Sequence, residues 1–208
     1  DALAITNYDV ITVQQVSGLS GLPDTYQPYI GDLIAMVKEV QPDAEIVFHQ
    51  TWAYDDDSDH WDFPRYGKDR QTMYEGIQNA SKSIAAALDL RIIPVGEVVH
   101  RLRESDYFAT KGAHQISYSP YDKEMTFPDW TNDPANPPSM TRDGYHLNEY
   151  YGRYAAAATW YAVLTGEKLS GNDWKPTEPV QYPQNQHLPD EVWDFIRATV
   201  DEVVEEFR

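Results

Sequence analysis

Three short runs of β-branched and apolar residues, each followed by a stretch with helical periodicity, constrain this chain more than any other feature. "YDVITVQQV" (8–16), "AEIVFHQ" (44–50) and "RIIPV" (91–95) read as buried strands. Residues 26–40 carry Ile30, Leu33, Ile34 and Val37 on one helical face, and Pro42 stops them. Residues 69–89 repeat the pattern with Met73, Ile77, Ala80, Ile84 and Leu88, and a short helix near 96–104 follows the third run. Strands alternating with helices imply a parallel sheet with helices on both faces. In such sheets ligands bind beyond the carboxyl ends of the strands. Residues 15–24, 50–66 and 96 onward are therefore the places to look for chemistry.

The 208 residues suit one domain with a full core. A long segment, 105–140, is rich in Pro, Tyr, Asp and Asn, as functional loops often are. Asn148 is placed to cap the next helix, Glu149 suits its first turn, and Gly166 stands where it should end. Its expected buried stripe is Tyr150, Tyr154, Ala157, Tyr161 and Leu164. From 167 to 208 the chain reads as a Pro-rich connection and an amphipathic helix, begun at Pro189 and carrying Val192, Ile196, Val200, Val203 and Phe207. That helix is expected to pack on the same domain.

A net charge of −18 repels polyanions, so neither nucleic acid nor an anionic membrane surface is an expected partner. No apolar run approaches the roughly 18 residues of a membrane span. Neutral ligands fit better, and with 6 Trp and 15 Tyr a carbohydrate is the natural candidate. The absence of cysteine excludes thiolate catalysis and zinc-thiolate sites. Asp55, Asp57 and Asp59 alternate like a calcium loop, but His60 and Tyr66 stand where that loop needs Gly and Glu. No metal site is expected, and the stretch reads as a solvated acidic loop.

"TRDGYHLNEYYGRYAAAATWYAVLTG" (141–166) sets Asp143 three residues before His146, directly ahead of a helix. A carboxylate that accepts the Nδ1 proton fixes the imidazole tautomer and leaves Nε2 as a general base. The residues alone allow a plainer alternative, in which Asp143 caps a turn and His146 packs beside the tyrosines. Asp57 and His60 repeat the spacing, but in an aspartate-rich run where such a match comes easily.

Three stretches taken together, "DVITVQQVS" (9–17), "HQTWAY" (49–54) and "RDGYHLNEYYGRYAAAATWYAVLTG" (142–166), resemble a bacterial branch of the SGNH (GDSL-type) hydrolases. The resemblance covers most of residues 1–166 and leaves out 167–208. It implies a flavodoxin-like three-layer α/β/α sandwich and a Ser-His-Asp triad that cleaves esters, often acetyl groups on carbohydrate, with no cofactor. Carried over, His146 is the base and Asp143 its orienting acid. Gln14 and Ser17 fall in the block that supplies oxyanion donors in the superfamily, although either residue would equally tie down the turn after the strand. Gln50, Trp52 and Tyr54 follow the second run as candidates for a polar contact and an aromatic wall, with a core position as the alternative for Trp52.

The superfamily's nucleophile block, Gly-Asp-Ser or Gly-Asn-Ser, does not occur in the chain. Gly31-Asp32-Leu33 has leucine in place of serine, and Gly171-Asn172-Asp173 follows His146 in chain order. The three strands resemble the third to fifth of the superfamily's five. Residues 1–166 are therefore expected to be the C-terminal portion of such a domain, lacking its first strands. An N-terminal segment or a partner chain would supply the serine and complete the sheet; without it "VITVQQV" is an exposed apolar edge. The chain begins at Asp1 without methionine, which suggests an upstream segment and a secreted or periplasmic setting. The competing expectation is a carbohydrate-binding or structural domain that keeps the fold without catalysis.

Overall fold

A computed structural model describes residues 2–109, 138–148, 150–176 and 188–208. Most of the 105–140 segment, Glu149 and most of the Pro-rich connection lie outside the described residues. Strands β1 (Val10–Val13), β2 (Glu45–His49) and β3 (Arg91–Ile93) form a parallel sheet in the order β1-β2-β3. Val10 stands opposite Glu45 and Val47 opposite Arg91. Helices α1 (Tyr29–Val40) and α2 (Arg70–Leu88) make the two crossovers, and α3 (Val95–Arg103), α4 (Tyr151–Thr165) and α5 (Glu191–Glu206) follow.

The alternation along β2 divides the core. Ile46 and Phe48 face α1 and α2, in a cluster with Val13, Ile30, Val37, Ala80 and Ile84. Val47 points the other way, joining Ile93 and the inner faces of α3, α4 and α5. The result is a three-layer α/β/α sandwich, flavodoxin-like in its layering, with α5 in the same core as α3 and α4. A third, smaller cluster holds Ala53, Tyr54, Phe63, Tyr66, Met73 and Ile77 at the carboxyl end of the sheet.

Two local expectations need correction. Tyr150 and Tyr154 are buried as the periodicity predicts, and α4 also buries Tyr151, Gly152, Ala155, Ala158, Thr159, Ala162 and Val163, whereas Ala157 is exposed and Tyr161 and Leu164 are 42% and 39% exposed. Helix α4 packs against α3, α5 and β3 at once. Its small side chains permit that close approach, so beyond Tyr151 and Tyr154 the buried face runs along Ala155, Ala158 and Ala162 rather than Tyr161 and Leu164. Similarly, Leu33 of α1 is exposed, leaving Ile30 and Val37 as its buried positions.

His49, the last residue of β2, is buried and accepts a hydrogen bond on Nδ1 from the Trp160 indole at 3.1 Å. Among the described residues β1 pairs only with β2, which leaves its other edge open. Of the β1 side chains, Ile11 is half-buried against the α1–α2 layer and Thr12, on the other face, is exposed.

Candidate active site

The turn 141–147 is built around one carboxylate. Asp143 Oδ1 accepts the backbone N–H groups of Tyr145 (3.2 Å) and His146 (2.8 Å), and Oδ2 lies 2.7 Å from His146 Nδ1. Gly144 makes this possible: its φ of +91° lies in the region that favours glycine and folds the chain back over the Asp143 side chain. Asp143 is half-buried and the His146 side chain 55% exposed. The structure thus brings Asp143 and His146 together, and the capping of the turn, the plainer alternative, is performed by the same carboxylate. Arg142 Nε lies 3.9 Å from Asp143 Oδ2, a positive charge beside that carboxylate.

The turn is fastened to the loop after β2, which places it at the carboxyl ends of the strands. Asp55 N donates to Gly144 O (2.8 Å), and the Trp52 indole donates to Tyr145 O (2.7 Å). The Asp55 carboxylate accepts Ser139 Oγ (2.6 Å) and the Thr141 hydroxyl, and meets Arg103 Nη2 at 2.7 Å. Both members of that ion pair are essentially inaccessible. On the far side, Asn148 Oδ1 accepts the N–H groups of Tyr150 (3.1 Å) and Gly152 (2.9 Å), capping the entrance of α4 as expected. A Cβ at Gly152 would run into the Met140 carbonyl, so glycine is what lets α4 sit this close to the turn.

The other candidate residues divide. Ser17 Oγ lies 2.9 Å from the Tyr54 hydroxyl, which lies 3.4 Å from His60 Nε2. The Tyr54 ring stands 5.9 Å from that of Tyr145, itself 4.4 Å from the His146 ring. Ser17 and Tyr54 are thereby joined to the Asp143–His146 pair. Gln14 is exposed just beyond β1, and the turn there is tied by Gln15, whose Nε2 donates to Thr25 O at 3.1 Å. Gln50 is not at the site. It is fully buried, accepting Glu97 N (3.0 Å) and donating to Ser81 Oγ (2.7 Å), so it joins β2 to α2 and α3. Trp52 is half-buried against the core and holds the turn through its indole rather than standing as an open wall.

The aspartate-rich run is not simply a solvated loop. Asp55 and Ser58 are buried, and so is His60, which stacks on Trp61 (4.2 Å) and meets Tyr145 edge-on (4.7 Å). Trp61 itself is 79% exposed. His60 and Trp61 therefore complete an aromatic rim near His146, in a run that by its sequence reads as a solvated loop. Burial is the main cause that holds the His60 ring below the ordinary histidine range, against the opposing pull of Asp62. Burial likewise pushes the Tyr54 hydroxyl up to about 12. Both groups are neutral near pH 7. Among the described residues no three His, Asp or Glu side chains are grouped to hold a metal ion.

A solvent-facing imidazole with an oriented carboxylate can take and return a proton, and here it stands beside an aromatic rim. Against known proteins, the family profile "Domain of unknown function (DUF4886)" matches residues 1–122 and 129–188. Among solved structures, a DUF4886 family protein from Bacteroides uniformis shares 28% identity at a TM-score of 0.70, over 98% of this chain and 65% of that one. This chain thus spans somewhat under two thirds of that relative's length. A protein from Slackia heliotrinireducens, titled a "putative SGNH hydrolase", shares 18% identity at a TM-score of 0.48, over 76% of this chain and 67% of that one. That likeness is too slight to bear on activity. No curated protein matches the chain. The matched residues take in β1, the rim after β2 and the Asp143–His146 turn together, and the chain belongs to the DUF4886 family.

Proposed function

We propose that this chain carries the base and acid of an SGNH-type serine hydrolase, an esterase that removes acyl groups such as acetyl from carbohydrate. The observation that carries the proposal is the 2.7 Å contact between Asp143 Oδ2 and His146 Nδ1 on a ring that remains more than half exposed. In this reading a serine attacks the ester carbonyl, and His146 Nε2 takes its proton and returns it to the leaving sugar hydroxyl. Asp143 stabilises the imidazolium formed between those steps. Ser17 donates a hydrogen bond to the oxyanion, and Tyr54, Trp61 and Tyr145 flank the sugar. The nucleophile comes from a further strand, on an N-terminal segment or a partner chain, that pairs along the open edge of β1. That edge, unpaired among the described residues, supports the assignment, since an exposed strand edge is normally paired or shielded.

The second reading is a carbohydrate-binding domain without turnover. It is favoured by one fact: among the described residues, no hydroxyl is hydrogen-bonded to His146 Nε2. Fluorophosphonate labelling of the full-length protein separates the two. The hydrolase reading expects one labelled serine, with labelling lost in a folded His146→Ala variant. A folded wild-type protein that takes no label sinks it and leaves the binding domain.

A further inference from the structure

One backbone N–H sets the direction of a chain of hydrogen bonds that ends at Ser17. Asp62 N donates to His60 Nδ1 at 3.2 Å, so that nitrogen must be unprotonated. The neutral ring then carries its proton on Nε2, which is the nitrogen facing the Tyr54 hydroxyl at 3.4 Å. With Tyr54 Oη accepting from His60, the Tyr54 proton goes to Ser17 Oγ, 2.9 Å away. The reverse order would need a ring with both nitrogens accepting, which a neutral imidazole cannot provide. Ser17 Oγ therefore receives a proton from behind, and its own hydrogen is left to point away from Tyr54. No other hydrogen bond is made by that hydroxyl among the described residues.

The positions of these groups are tightly set. Tyr54 is fully buried, His60 is buried between Tyr54 (ring centroids 4.6 Å) and Trp61, and a Cβ at Gly18 would collide with the Asp62 side chain. The 3-10 turn Ser17–Leu19 is thus pressed against the residue whose N–H orders the chain.

We infer that His60 and Tyr54 are positioning residues, which hold the Ser17 hydroxyl as an outward hydrogen-bond donor for the developing oxyanion of the ester. The assignment rests on the hydrolase reading for the identity of the acceptor, and on the hydrogen-bond geometry alone for the direction of donation. It makes His60, rather than a second base, the reason a histidine stands beside His146.

Two measurements on the full-length protein test it. Long-range proton–nitrogen NMR spectra with 15N-labelled histidine should show His60 protonated on Nε2 and bare on Nδ1 at pH 7; a proton on Nδ1 overturns the relay. With an aryl acetate as probe ester, Ser17→Ala should lower kcat on the order of a hundredfold. Tyr54→Phe should lower it less, with KM little changed. The double variant Ser17→Ala/Tyr54→Phe should be no slower than Ser17→Ala alone, because Tyr54 acts through Ser17. Losses that multiply instead of saturating overturn the proposal. Absence of any turnover by wild-type protein overturns the hydrolase reading, and the spectrum then still decides the direction of the hydrogen bonds.

Discussion

Arg103 and Asp55, neither accessible to solvent, meet at 2.7 Å beneath the turn that carries Asp143 and His146. Asp55 also accepts the hydroxyls of Ser139 and Thr141, and Arg103 Nη1 donates to Ala53 O at 2.7 Å. Removing one partner strands the other as a buried charge. Arg103→Met is therefore expected to destabilise the protein by roughly 3–5 kcal/mol, read by chemical denaturation. A loss below about 1 kcal/mol would show that water reaches Asp55 and that the pair does not secure the turn.

Gly144 is the next point of leverage. Its φ of +91° is costly for any residue with a Cβ. Gly144→Ala should cost at least about 1 kcal/mol and lower ester turnover by displacing His146 from Asp143. Denaturation and aryl-acetate kinetics on the same preparation check both. Unchanged turnover would mean that the turn's backbone does not set the pair.

Trp52 offers a gentler probe of the same turn. Trp52→Phe keeps a ring against the core but removes the indole N–H from Tyr145 O. The expected cost is about 1 kcal/mol, with faster amide exchange at Tyr145 and His146. Exchange as slow as in wild type would assign the anchoring to Asp55 alone.

His49 makes the fold sensitive to acid. Burial lowers its pKa to about 4, against an ordinary value of 6.5. Between those values the unfolded chain binds the proton and the folded one does not. The stabilising contribution is thus complete above about pH 6.5 and is lost as pH falls toward 4, at up to about 1.4 kcal/mol per pH unit. His49→Gln keeps an acceptor for the Trp160 indole and removes the titration. Its stability should fall less than that of wild type between pH 7 and 4.5; parallel curves would assign the acid loss to other groups.

What was legible in the sequence was local. The strands announce themselves by β-branched runs, and Asp143 reaches His146 because only four residues are involved. The part of the α4 face formed by Ala155, Ala158 and Ala162 was hidden because burial there follows three neighbouring elements rather than hydrophobic bulk. Gln50 looks like a polar loop residue, and only the convergence of α2 and α3 supplies the partners that let it be buried. The interior position of Asp55 depends on Arg103, which nothing within the aspartate-rich run reveals. Likewise, His60 gains its meaning only when the 17–19 turn and the 141–147 turn both arrive beside it.

The Asp143–His146 contact and its mooring differ in how far along the chain they reach. Asp143 and His146 are three positions apart, whereas the bonds that fix their turn join residues 84 to 93 positions apart. Contacts of that sequence separation form slowly. The pair should accordingly form early in folding, from its own few residues, and find its address late. By the same token, a local opening that breaks those long-range bonds can release the turn while the contacts within it, Asp143 to Tyr145 and His146, stay closed.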